Sequence, residues 1–152
     1  MEIEIGKPFP IERLGLNEHG EEMSLSQFSG RHLVLYFYPK DNTPGCTQEA
    51  CSLRDHYSPL QAAGYDVVGV SPDSPSSHRK FIAKHDLPFP LISDPDHVLS
   101  ETLGVWGEKK MYGRIYMGIL RTTFVIAPDG TLERVFTSKQ IKVKEHAQQL
   151  LA

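Results

Sequence analysis

The chain has 152 residues, 39% of them hydrophobic and 23% charged, the size and makeup of one compact domain, expected over 1–152, whose core needs no staples. The net charge of -3 arises from mixed signs scattered along the sequence, with no basic block to neutralise phosphates, which argues against a nucleic-acid binder. The opening "MEIEIG" has neither the basic flank nor the apolar run of a signal peptide, and the longest apolar stretch, "LVLYFY", is too short to span a bilayer, so a cytoplasmic protein without membrane contact is expected.

In chain order, "NEHG" at 17–20 predicts the turn of a hairpin, and "LSQF" at 25–28 a short helical turn. "HLVLYFY" at 32–38 is a continuous apolar, aromatic and β-branched run of the kind buried on both faces of a sheet, and Pro39 ends it. The segment 43–64, "TPGCTQEACSLRDHYSPLQAAG", reads as a helix with Thr43 as N-cap, Pro44 in the first helical position and Gly64 past the end, kinked or interrupted by Pro59. "YDVVGVS" predicts a second buried strand, and Ser74 with Pro75 opens a helix through "SSHRKFIAKHD". "FPLISD" predicts a short strand, Asp94 and Pro95 start a helix that Gly104 closes, and "VWGEKKMYGRIYMG" reads as a Gly-rich loop. "RTTFVIAPDGTLERVFT" predicts a hairpin turning at "PDG", and "KVKEHAQQLLA" a last amphipathic helix. Strands alternating with helices, followed by an antiparallel hairpin, imply an α/β sandwich around a mixed sheet.

Both cysteines of the chain, Cys46 and Cys51, lie in one stretch, "YPKDNTPGCTQEAC" at 38–51. A lone pair in a reducing cytosol points to catalysis or metal binding before a static disulfide. With a helix starting near Thr43, Cys46 falls in the first turn, where unsatisfied N–H groups and the positive end of the macrodipole favour an anion. A thiolate is the nucleophilic form, so Cys46 is the candidate attacking sulfur and Cys51, deeper in the helix, the poorer one. Residues five apart on an intact helix sit roughly 8.7 Å apart at Cα, whereas a disulfide needs about 4.4 to 6.8 Å. A bond between Cys46 and Cys51 therefore requires local unfolding: Cys46 is oxidised to a sulfenic acid with the helix whole, and Cys51 resolves it with the helix melted.

The same stretch resembles the active-site segment of peroxiredoxins, in which Pro, three residues, Thr or Ser, two residues and Cys recur, here as Pro39, Thr43 and Cys46. The second cysteine five positions on, together with "GVWGEKKMYGRIYMGILRTTFVI", is similar to the bacterioferritin comigratory protein, or peroxiredoxin Q, subfamily, and the likeness runs from "IGKPFP" through "ISDPDH" to the last hairpin. It implies a thioredoxin-like fold with a mixed central sheet flanked by helices and an N-terminal β-hairpin extension. It further implies a monomeric peroxidase for hydrogen peroxide and organic hydroperoxides, recycled by thioredoxin or a similar dithiol. On this resemblance Cys46 is the peroxidatic nucleophile and Cys51 the resolving thiol. Thr43 bonds the peroxide through its hydroxyl, Pro39 shields the thiolate from water, and Arg121 comes across the sheet to stabilise the thiolate and the peroxide oxygens. Such a set is coherent chemically, since displacement at an O–O bond needs an anionic sulfur and stabilised charge on the leaving oxygen.

Read without that likeness, Arg121 is an ordinary edge-strand charge, Pro39 a strand terminator and Thr43 a plain N-cap, and before the motif is weighed the cysteines fit inert packing as well as chemistry. Trp106, Tyr112 and Tyr116 are assigned to packing. The seven histidines are scattered, with no spacing that joins two of them to the cysteines, so no metal is expected. No phosphate-cradling glycine motif occurs, so no nucleotide cofactor is expected either. A non-catalytic redox sensor using the same Cys46–Cys51 switch is the alternative from another class. A thioredoxin-type dithiol oxidoreductase fits less well, because four residues and not two separate the cysteines.

Overall fold

The structure, a computed structural model, describes residues 3–152, so the first two residues of the domain expected over 1–152 lie outside it. Strands β1 (Arg13–Leu16) and β2 (Glu22–Ser24) form the expected N-terminal hairpin. Its turn is closed by the Asn17 side-chain oxygen, which accepts from the backbone N–H groups of His19 and Glu21 at 2.9 and 3.0 Å. The turn at Leu25–Phe28 is a 3-10 helix held by the Gln27 side chain, which accepts from the Ser24 N–H at 2.8 Å.

The run at 32–38 becomes β3 (His32–Phe37), buried from Leu33 onward because it is flanked on both edges and covered on both faces. It pairs in parallel with β4 (Tyr65–Ser71), which pairs in parallel with β5 (Leu91–Ser93). Between these strands run helices α1 (Pro44–Asp55), α2 (Tyr57–Ala62) and α3 (Pro75–His85). The helix expected over 43–64 is thus two helices, broken at His56. Pro59 accounts for the break: it lacks an N–H, and its ring would clash with the carbonyl four residues back, that of Asp55. Helix α3 opens as expected, with the Ser74 hydroxyl accepting from the Ser77 N–H at 3.1 Å.

Helix α4 (Val98–Thr102) starts later than Asp94–Pro95 suggested. Asp94 still caps it from a preceding turn, its carboxylate accepting from the N–H groups of Leu99 and Ser100 at 3.2 and 2.9 Å. The segment read as a Gly-rich loop is instead an antiparallel ribbon of β6 (Trp106–Met111) and β7 (Arg114–Ile119). Its two turn residues, Tyr112 and Gly113, both take positive φ, 51° and 78°, the geometry whose twist matches a two-residue hairpin. Glycines disguised it: Gly107 and Gly118 face each other across the ribbon and interrupt the apolar alternation.

The hairpin β8 (Thr122–Ile126) and β9 (Leu132–Phe136) follows as expected, and the C-terminus closes with a 3-10 turn and a short α5 (His146–Leu151). Among the described residues the main sheet has seven strands in the order β2-β1-β5-β4-β3-β8-β9, with β8 antiparallel to β3. Alternation along β3 divides the core in two. Leu33, Leu35 and Phe37 pack with Phe9, Leu99, Leu103 and Phe124, while Val34, Tyr36 and Tyr38 pack with Cys46, Ala50, Leu53, Phe81 and Leu150. The second layer seats α1 on the sheet and brings the start of β8 beside the end of β3.

Candidate active site

Helix α1 begins where the chain leaves β3, so the positive end of its dipole lies over the carboxyl ends of the parallel strands. Its burial pattern follows the helical period. Cys46, Glu49, Ala50 and Leu53 face inward at spacings of three and four, and Cys46 is only 2% exposed. Thr43 is the N-cap with extended backbone, yet its hydroxyl makes no capping bond and donates instead to the Lys40 carbonyl at 2.9 Å. Pro39 is half-buried at the exit of β3.

Arg121 enters from the opposite direction, one residue before the antiparallel β8. Its Nη2 donates to Cys46 Sγ at 3.3 Å and its Nη1 to Glu49 Oε1. Two residues 75 and 72 positions away in sequence are thereby held by one guanidinium fork. Burial alone would lower the Arg121 pKa, but the Glu49 carboxylate and the Cys46 sulfur more than offset it and hold the pKa raised. Burial pushes Glu49 the other way, up to about 7, against the pull of Arg121.

Of the predicted set, Cys46 and Arg121 are in contact and Thr43 caps the same helix. Cys51 sits on the intact α1, half-buried, and both cysteines are free thiols. Trp106, Tyr112 and Tyr116 lie on the β6–β7 ribbon, Trp106 stacked on His97 at 3.6 Å between centroids and Tyr112 fully exposed at the tip.

Glu49 is the site residue that the sequence reading missed. A signal existed, because a carboxylate three residues after Cys46 on the buried face of a helix demands a cation. Its Oε1 has Arg121, while its Oε2 is buried with no hydrogen-bond partner among the described residues, 3.9 Å from His146 Nε2. His146 is fully buried and burial lowers its pKa, so the ring is neutral: Nδ1 donates to Gln149 Oε1 and Nε2 accepts from the Thr123 hydroxyl, both at 2.9 Å. Lys109 on β6 was missed as well. Its burial and the nearby Arg121 cation lower its pKa while Cys46 opposes them, which puts a second cation within the electrostatic reach of the sulfur.

The expectation of no metal rested on scattered histidines, yet the fold gathers ligand atoms of Asp41, Asp73 and His78 within 4.8 Å of one another. Neither cysteine belongs to that group, and Asp41 Oδ2 and Asp73 Oδ2 already accept from hydrogen-bond donors.

Comparison with known proteins gives a consistent result. Residues 5–135 match the model of the AhpC/TSA family. The chain is 47% identical to peroxiredoxin Bcp of Bacillus subtilis, over 99% of this chain and 94% of that one. It is 48% identical to peroxiredoxin Bcp of Escherichia coli, over 79% and 77%. Among solved structures, a bacterioferritin comigratory protein of Xanthomonas campestris, described with trapped intermediates of alkyl peroxide reduction, superposes with a TM-score of 0.84 at 37% identity, covering 98% of this chain and 93% of that one. A cysteine-to-serine variant of peroxiredoxin Q from Xylella fastidiosa gives 0.88 at 34% identity, covering 99% and 94%.

Proposed function

Because the chain belongs to the AhpC/TSA family, as a thiol-dependent peroxidase of the Bcp and peroxiredoxin Q type with the thioredoxin-like fold, we propose that Cys46 is its peroxidatic sulfur and Cys51 its resolving one. The observation that carries this reading is the Arg121 N–H on Cys46 Sγ at 3.3 Å, at the amino end of α1. The thiolate attacks the terminal oxygen of hydrogen peroxide or an organic hydroperoxide; an S–O bond forms, the O–O bond breaks, and water or an alcohol leaves with the proton. Arg121 and the helix terminus stabilise the charge passing from sulfur to oxygen. Thr43 already spends its hydroxyl hydrogen on the Lys40 carbonyl, so its oxygen has lone pairs left to accept the peroxide O–H. Pro39 keeps bulk water from the thiolate.

Resolution then requires α1 to open, because two residues five apart on an intact helix are too far apart at Cα for a disulfide. The Cys51 thiolate attacks the Cys46 sulfenic sulfur, an S–S bond forms, the S–O bond breaks, and the hydroxide leaves as water with the proton that the Cys51 thiol gave up. A dithiol protein of thioredoxin type reduces the disulfide by exchange. The reading includes one monomeric domain acting in the cytoplasm; no helix of the described residues is long and apolar enough to cross a membrane.

Steady-state peroxide consumption with thioredoxin, its reductase and a nicotinamide donor tests the scheme. Both Cys46→Ser and Cys51→Ser are expected to lose turnover, with Cys46 still oxidisable to a trappable sulfenic acid in Cys51→Ser. Stoichiometric oxidation of the parent without turnover, under several dithiol donors, would instead favour the sensor.

A further inference from the structure

The loop at 39–43 carries both Pro39 and Thr43, and its middle residue, Asp41, is 93% buried, with 7% exposure. Asn42 follows with a positive φ of 63°, a left-handed state that Asn accepts more readily than most residues. Asp41 itself is held by a dense polar cluster. Asp41 Oδ1 accepts from the Tyr38 hydroxyl at 2.5 Å, and Oδ2 accepts from Ser77 Oγ at 2.8 Å and faces His78 Nδ1 at 2.8 Å. The Asp41 N–H donates to Asp73 Oδ2 at 2.7 Å, which also takes the Ser71 hydroxyl at 2.7 Å.

His78 is fully buried, and its other nitrogen, Nε2, lies 3.0 Å from the Ile92 carbonyl. The carboxylate and carbonyl oxygens that face the ring are acceptors, and the two contacts tie the loop to α3 and to β5 at once. A metal is the rival occupant of such a group. Nothing beyond the ligand set points to one, and both Asp41 oxygens and Asp73 Oδ2 already accept from Tyr38, Ser77, Ser71 and the backbone.

We propose that His78, acting through Asp41, is a positioning residue for peroxide capture, setting where Thr43 and Pro39 stand relative to Cys46. This rests on the reading of Cys46 as peroxidatic and of the loop as its peroxide-facing wall. The partners of Asp41 lie at the end of β3, in the turn after β4 and on α3, and none lies on α1. The loop therefore keeps its shape while the helix after it opens and recloses.

The test separates peroxide geometry from thiol reactivity. For the parent, His78→Asn, Asp41→Asn and the milder Ser77→Ala, the second-order rate of Cys46 oxidation by hydrogen peroxide is compared with its alkylation by iodoacetamide, which needs no peroxide pocket, at temperatures below each variant's melting point. His78→Asn and Asp41→Asn are expected to slow oxidation by about 10- to 100-fold, with alkylation changed by less than about 3-fold. The double variant should be no slower than the worse single one, because the two act as a unit. Ser77→Ala keeps the His78 contact and should show a smaller loss of the same kind, which covers the case of a single variant that does not fold. Oxidation and alkylation falling in parallel, or oxidation unchanged in all variants, would overturn the proposal. A parent whose Cys46 is inert to peroxide would overturn the underlying reading first.

Discussion

Residues 39–43 and helix α1 are contiguous, but they are held by different means. The loop is pinned at Asp41, by its N–H to the turn after β4 and by its buried carboxylate to α3, whose His78 reaches on to β5. Helix α1 rests on the sheet through Cys46, Ala50 and Leu53 and is crossed at its start by Arg121. Its far half has two further polar ties, the Ser52 hydroxyl accepting from the Ala147 N–H at 3.1 Å and Arg54 Nη1 donating to the His85 carbonyl at 2.8 Å. A cycle that opens the helix while keeping a peroxide pocket needs this division. In the proposed cycle the fixed half recognises the oxidant and the yielding half delivers the second thiol.

The largest expected effect comes from removing the guanidinium that grips the start of α1, at Arg121. Arg121→Ala should slow peroxide oxidation of Cys46 by about 10²- to 10³-fold, measured by stopped-flow. Arg121→Lys should recover little of this, since a point charge cannot reach Cys46 and Glu49 with two nitrogens in one plane.

Next in size is a pH effect carried by α1 and its C-terminal neighbour. Glu49 has a carboxyl near 7 in the folded chain against 4.5 unfolded, so the folded state binds more protons in that window. Stability therefore falls as pH rises from about 4.5 through about 7, by up to about 3 kcal/mol. Glu49→Gln should flatten the urea midpoint across that range. His146, whose pKa is lowered, works in the opposite sense: the stability tied to its neutral ring is lost as pH falls below 6.5. An unchanged slope in Glu49→Gln would show that the buried carboxyl is not the titrating group.

The smallest effect sharpens the comparison most. Ser52→Ala removes one tie on the far half of α1, worth about 1 kcal/mol. It should speed alkylation of the Cys51 thiol several-fold while leaving Cys46 oxidation unchanged. A slowed Cys46 reaction would mean that the two halves are coupled more tightly than this account allows.

Much of this was legible in the chain itself. The buried run at β3, the Thr-Pro start of α1 and the "PDG" hairpin are local signals, and each became the element expected. The β6–β7 ribbon was missed because paired glycines broke its alternation. In the site, the segment holding Pro39, Thr43, Cys46 and Cys51 was plain because its spacing is local. Glu49 escaped although the helical period put it beside Cys46. The Asp41–His78 pair, 37 residues apart, carries no local signal at all, since only the packing of α3 against the end of β3 joins them.

The most direct test of the account is amide hydrogen exchange on the reduced protein and on the form oxidised by one equivalent of hydrogen peroxide, with the disulfide mapped in the same sample. The account predicts a Cys46–Cys51 bond, loss of protection across 46–55 and retained protection in β3 and at Asp41. A Cys46–Cys51 disulfide with 46–55 still protected, or exchange spreading equally into the loop and β3, would contradict it.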